Sequence, residues 1–207
     1  MLEAASELEK VAREIRACTR CPLHATRRNA VPGEGNPNAR VMLVGEAPGY
    51  NEDVQCRPFV GAAGNLLNEL LGLAGLRREE VFITNVVKCR PPENRDPRDE
   101  EIDACTPYLI MQIEIIKPSI LVCLGRHSAS TIFKLGGIEF SSIMKVRGSL
   151  RQLRIAGIDV LCLPTLHPAA ALYNPRLRGA LEADFKRLKY LVSGERGGLD
   201  SWLCCIK

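Results

Sequence analysis

A chain of 207 residues with 46% hydrophobic and 25% charged side chains is long enough to bury one good core, and its balance excludes a disordered or low-complexity polymer. No apolar run reaches the roughly 18 residues a membrane-spanning helix needs. Met1–Arg16 is charged throughout without the apolar stretch of a secretion signal, so a cytoplasmic protein with no membrane partner is expected. The net charge of +4 is uneven: between Lys145 and Lys189 nine Lys/Arg stand against three acidic residues, which suits a polyanionic partner as well as it suits a solvated helix face.

In chain order, Leu8, Val11, Ala12 and Ile15 recur at helical spacing and predict a helix over Ala4–Arg16, ended by Cys18-Thr19-Arg20-Cys21-Pro22. Gly, Pro and Asn crowd residues 31–38 into a loop. The first strand is predicted at Arg40–Gly45, and two turns follow it, Gly45–Asp53 and Arg57–Gly64. Next come a helix at Asn65–Leu76, a strand at Val81–Val86, a Pro-rich loop at Lys88–Pro97 and a helix at Arg98–Ile116. A strand at Ser119–Gly125, a short helix at Ser128–Leu135, strands at Gln152–Arg154 and Val160–Pro164, and a helix at Leu177–Val192 complete the pattern. Continuously apolar strands alternating with helices imply a parallel sheet covered on both faces, with four central strands. The expectation is a single domain over 1–193 and a loose tail over 194–207.

Ligand sites in such folds lie at the carboxyl ends of the strands. Three positions there carry chemistry. The turn Gly45-Glu46-Ala47-Pro48-Gly49 brings backbone and a carboxylate to the rim, with Glu52 and Asp53 close behind. Asn85 ends a strand with a donor and an acceptor side by side, a match for the polar edge of a nucleobase. His167 follows another strand, its turn fixed by Pro168. Phe59, among glycines, offers a flat face to a planar ring. His24 and His127 lack comparable context and are expected to be structural or on the surface.

Nine cysteines without a secretion signal argue for ligation rather than disulfides. Cys18 and Cys21 form C-x-x-C, while Cys89 and Cys105 flank the Pro-rich loop and the next helix. Spacing alone allows zinc or an iron–sulfur cluster. Cys123 and Cys162 sit inside apolar runs and are read as small core residues. Cys56 falls in a loop, and Cys204 and Cys205 in the tail.

These residues carry a resemblance. Gly33–Gly49, Arg57–Gly64, Thr84–Pro97 and Pro164–Ala170, with the four cysteines in order, are similar to the motifs of family 4 uracil-DNA glycosylases, and the likeness runs over residues 5 to 192. It implies a three-layer α/β/α sandwich with a central four-stranded parallel sheet. It implies a structural [4Fe–4S] cluster on Cys18, Cys21, Cys89 and Cys105. The implied activity is hydrolysis of the N-glycosidic bond of deoxyuridine flipped out of single- or double-stranded DNA, leaving an abasic site. On that resemblance Phe59 stacks on the base, Asn85 reads its polar edge, Glu46-Ala47 and Glu52 complete the base site, and His167 donates to uracil O2. Leu172 and Tyr173 approach the minor groove, and Arg147, Arg176 and Arg178 bind phosphates. Ala47 stands where better-known members of the superfamily place a water-orienting Asp, so water activation falls to Glu46, Glu52 or Asp53, with Glu46 favoured. The expected state is a monomer, with the tail free to bind a repair or replication partner. Two rivals are a non-catalytic iron–sulfur DNA-binding protein of the same fold and a zinc-stabilised hydrolase of free nucleotides using the Glu52-Asp53 pair. The first has no need of Phe59, Asn85 and His167 together, and the second lacks a further acidic cluster.

Overall fold

The computed structural model describes residues 2–194. Strands β1 (Glu34–Gly35), β2 (Val41–Gly45), β3 (Phe82–Asn85), β4 (Ile120–Leu124), β5 (Arg151–Ile155) and β6 (Ile158–Thr165) form one sheet in the order β1-β3-β2-β4-β6-β5. The central four, β3-β2-β4-β6, are parallel, as the apolar runs predict. The edges differ from a purely parallel sheet, because β1 and β5 run antiparallel to their neighbours. β1 was a loop by composition: with two residues it has no periodicity to read. Its Gly35 (φ +127°) pairs opposite Phe82 so closely that no side chain fits against Val81.

Side chains alternate across a strand, and β2 is buried at every position, so it needs two covers. Met42 and Val44 face a layer containing Leu109 and Ile113 of helix α4 (Asp99–Ile116), Ile132 and Phe133 of α5 (Arg126–Leu135), and Val11 and Ile15 of α1 (Leu2–Ala17). Val41 and Leu43 face Leu67 and Leu70 of α3 (Ala62–Leu73) and Leu181 and Phe185 of α8 (Arg178–Ser193). The result is an α/β/α sandwich. Cys123 and Cys162 are fully buried in the first layer, with their sulfurs 3.4 Å apart, as their apolar settings predict. Pro107 does not break α4, because it and the carbonyl-bearing Asp103 it leaves unbonded lie on the exposed side. Among the described residues the other α-helices are short: α2 (Tyr50–Gln55), α6 (Ile143–Val146) and α7 (Pro168–Tyr173). The sequence reads α2 and α7 as turns, and at six residues each they are too short for a helical stripe to declare itself.

From β2 the chain passes to β3 on one side, then to β4 on the other. The carboxyl end of β2 is therefore the switch point at which a crevice opens. Behind it lies Lys88, 1% exposed, whose ammonium donates to Thr84 Oγ1 (2.6 Å), the Asn85 carbonyl (2.6 Å) and Gln112 Oε1 (2.8 Å). Burial pushes its pKa down to about 7. Among the described residues no helix is long and apolar enough to cross a membrane. The tail with Cys204 and Cys205 lies outside the described residues.

Replacing Lys88 by Met leaves those acceptors without their shared donor. We expect a loss of about 3 kcal/mol, read as a lower denaturant midpoint with an unchanged slope.

Candidate active site and cysteine centre

Three strand ends meet at one cavity of about 410 Å³. Glu46 and Ala47 come from the turn after β2, Asn85 from the end of β3, His167 from the exit of β6, and Glu52 and Phe59 from the double turn between β2 and α3. The six sequence-derived pocket residues thus line a single space. Arg95, Asp96 and Asn94 of the Pro-rich loop join them, as does Tyr173.

Phe59 is a non-glycine residue at φ +51°, a conformation that bulky side chains adopt rarely and at a cost. Its surroundings hold it there. Glu52 Oε1 accepts from the N–H groups of Val60 (2.8 Å) and Gly61 (3.0 Å), and Oε2 from that of Gly49 (3.2 Å). Arg78 donates to the carbonyls of Pro58 (2.5 Å) and Phe59 (3.2 Å), and is itself anchored on Glu34 (2.7 Å). Burial alone would raise the pKa of Glu34, but Arg57 and Arg78 hold it below the usual carboxylate range. Two glycines complete the wall: a Cβ on Gly64 would lie 1.9 Å from the Phe59 carbonyl oxygen, and one on Gly45 would strike Asn85 Oδ1 and the Phe59 ring.

These contacts correct two expectations. Glu52 lines the cavity, but its carboxylate already ties three backbone donors and is not free to activate water. Asp53, 5% exposed, accepts from the N–H groups of Arg28 (2.9 Å) and Asn29 (3.0 Å), so it pins the loop after Cys21 and leaves no acidic pair for a metal. Glu46 is the remaining acid of that turn, and burial raises its pKa, with Asp96 adding to the rise and His127 and Arg126 opposing it.

Asn85 is 2% exposed, and its Oδ1 is buried without a hydrogen-bond partner. A buried orphan acceptor is costly, and in a cavity wall it marks where a ligand donor belongs. His167 caps α7: its Nδ1 accepts from the Ala169 N–H at 3.2 Å. That bond requires the other nitrogen, Nε2, to carry the proton in the neutral ring. Burial pushes the His167 pKa down to about 4, only partly opposed by Glu52, so the ring is neutral at pH 7. It stacks on Phe59 with ring centroids 5.5 Å apart. The cavity thus presents a flat face, an unpaired acceptor and an uncharged donor.

The rim carries Leu172 (48% exposed) and Tyr173 (90% exposed) on α7, with Arg176 exposed just beyond. The other predicted phosphate contacts are engaged within the protein. Arg147 is mostly buried, donating to Asp184 Oδ1 at 2.7 Å and to the Ala180 carbonyl, which corrects its assignment to DNA. Arg178 is exposed but paired with Glu69 (2.7 Å) and Glu182 (2.9 Å). The sequence does not single out Asp96, and it reads His127 as structural or on the surface. His127 sits in the first turn of α5, which starts two residues before the predicted Ser128. Its place just after β4 is the one signal the sequence offers.

Cys18, Cys21, Cys89 and Cys105 line a second, small space between α1, α4 and the segment after β3. Donors point at the sulfurs: Arg27 Nη1 to Cys89 (3.0 Å), the Lys88 N–H to Cys105 (3.3 Å) and the Arg20 N–H to Cys18 (3.5 Å). As bare thiols these groups resist ionisation; burial pushes Cys105 up to about 11 and also raises Cys21 and Cys89. Four sulfurs around one space, three of them met by N–H donors, fit a soft metal centre, whose positive charge reverses that preference.

Residues 32–190 match the family model described as the uracil DNA glycosylase superfamily. The chain is 53% identical to a type-4 uracil-DNA glycosylase of Saccharolobus solfataricus over 95% of this chain and 91% of that protein. Identity is 48% to the protein of the same name from Archaeoglobus fulgidus, over 95% and 98%. It is 46% to the one from Thermotoga maritima, over 91% and 96%.

We expect ¹⁵N NMR to find His167 as the Nε2–H tautomer, still neutral at pH 5. Because the folded protein declines a proton that the unfolded chain takes up near pH 6.5, His167 makes stability rise with pH between about 4 and 6.5. A His167→Gln variant should lack that part of the slope in denaturation midpoints measured across the interval.

Proposed function

Because the chain belongs to the type-4 uracil-DNA glycosylases, it is a DNA-repair hydrolase that releases uracil from DNA, and we propose the following division of labour among its residues. The deoxyuridine enters the cavity only when swung out of the base stack. Phe59 presents its face to the ring. The amide of Asn85 reads the base edge: Oδ1 accepts from uracil N3–H, and the Nδ2 group donates to O4. Cytosine presents an acceptor at N3, so it sets lone pair against lone pair in a buried site, a mismatch that disfavours it strongly. The single observation that carries this reading is the buried, unpartnered Asn85 Oδ1 in the same cavity as the Nε2–H of a neutral His167.

His167 then donates from Nε2 to uracil O2. As the C1′–N1 bond stretches, negative charge gathers on the departing base, and a preorganised donor in a dry site stabilises that charge more than it stabilises the neutral substrate. A neutral ring suffices, since the proton is shared rather than moved. Glu46 handles the water that adds to C1′. The sugar cation is so electrophilic that this group contributes less than the oxyanion donor does. The backbone of Ala47 and the pinned wall at Glu52 and Gly49 close the rest of the base site. Val54, Gln55 and Cys56 do not line the cavity, so exclusion of the thymine methyl rests on that wall rather than on the exposed end of α2. Leu172 and Tyr173 lie against the DNA, with Leu172 filling the vacated space, and Arg176 takes phosphate.

The four cysteines hold a [4Fe–4S] cluster. Bound there it supplies a rigid covalent junction rather than reaction chemistry. What supports this is the all-sulfur donor set with its directed N–H groups.

In single-turnover assays on a uracil-bearing oligonucleotide, His167→Ala should lower the rate by about 10²- to 10³-fold. Glu46→Gln should cost less, and a Glu46→Gln rate below that of His167→Ala would overturn the weighting. Asn85→Ala should narrow the margin between uracil and cytosine. The protein purified without oxygen should be brown, with iron and acid-labile sulfide in equal amounts. Cys89→Ser should lose both and melt at lower temperature, whereas a colourless, zinc-loaded protein would refute the cluster.

A further inference from the structure

Behind Glu46 stands a group that recognition of the base does not require. His127, in the first turn of α5, has Nε2 3.9 Å from Glu46 Oε2 and 3.7 Å from Asp96 Oδ1. That nitrogen is buried and has no hydrogen-bond partner. The other oxygen of Asp96 is taken by Arg126 Nη2, so Oδ1 stays turned to the histidine. The three side chains come from three separate elements: the turn after β2, the Pro-rich loop and α5. Ser128 Oγ donates to the Val44 carbonyl at 2.6 Å and so locks the first turn of α5 onto β2. The spacing is too long for direct hydrogen bonds and short enough for strong electrostatic coupling.

We propose that His127 and Asp96 are positioning residues for the glycosylase reaction, setting the direction and the charge of the Glu46 carboxylate, with Arg126 fixing Asp96. The inference rests on the reading of Glu46 as the group that handles water. The C1′–N1 bonding pair leaves on uracil N1, the water oxygen then bonds to C1′ of the sugar cation, and one water proton passes to Glu46. The carboxylate must therefore be ionised and aimed at the cavity. Burial and the like charge of Asp96 both favour its neutral form, while Arg126 and a protonated His127 favour the anion. The other titratable or charged groups lining the cavity are Glu52, His167 and Tyr173, and Arg95 is occupied by Glu101 at 2.6 Å. His127 and Asp96 thus pull the charge state of Glu46 in opposite directions.

That opposition gives a signature no purely structural role shares. Single-turnover rates at saturating enzyme are measured from pH 4.5 to 8 in EDTA for the cluster-loaded protein, Glu46→Gln, His127→Gln and Asp96→Asn, with visible absorption reporting cluster integrity. We expect an acid limb in the parent that vanishes in Glu46→Gln. It should move to higher pH in His127→Gln and to lower pH in Asp96→Asn, each by about half a pH unit, a roughly threefold change in rate on the limb. A limb that survives in Glu46→Gln belongs to another group and overturns both the Glu46 reading and this inference. A limb abolished in Glu46→Gln but unmoved in the other two overturns this inference alone. Loss of parent activity in EDTA overturns it as well, in favour of a divalent cation held by the same three side chains.

Discussion

One buried ammonium joins the two halves of this molecule. Lys88 takes its acceptors from the last residues of β3 and from Gln112 of α4, while its own backbone N–H donates to the sulfur of Cys105. Burial disfavours the lysine's charge, and the cysteines beside it act in the opposite direction. Asn85, whose Oδ1 is buried without a partner, and Cys89, which lines the cysteine-walled space, are four residues apart with Lys88 between them. The polar edge of the pocket is therefore positioned from behind by the same element that closes the cysteine centre.

The pocket wall follows a similar economy. Glu34 and Glu52, two carboxylates that never meet the sugar, fix the strained Phe59 through Arg78 and three backbone N–H groups. Glu46 is the acid free of such duties, and burial raises its pKa. Local sequence looks the same in each case, a glutamate near glycines, and only the hydrogen bonds each one accepts separate scaffold from chemistry.

Much of this was legible in the chain. The four central strands are apolar runs, and their carboxyl ends name the pocket without further help, so Glu46, Asn85 and His167 could be placed on one rim before any coordinates. Burial of Cys123 and Cys162 followed from their neighbours. What stayed hidden depends on partners distant in sequence. Arg147 reads as a surface cation until Asp184, 37 residues on, is found against it. Asp53 reads as a reactive acid until the N–H groups of Arg28 and Asn29 occupy it. His127 and Asp96 are 31 residues apart, and neither lies on a face that periodicity marks. The edge strand β1 and the helices α2 and α7 are shorter than the window over which a repeat can be read.

The locked turn at Phe59 also bears on how the protein searches DNA. A wall that is set by internal hydrogen bonds before any base arrives cannot mould itself around what it meets. The entropy of ordering it is lost once, when the chain folds, and not again at each encounter. A bulkier base pressed against such a wall gains no compensating rearrangement and falls back into the helix quickly. Most of the bases a repair enzyme samples are undamaged, so discrimination that acts through fast rejection keeps each wrong encounter brief.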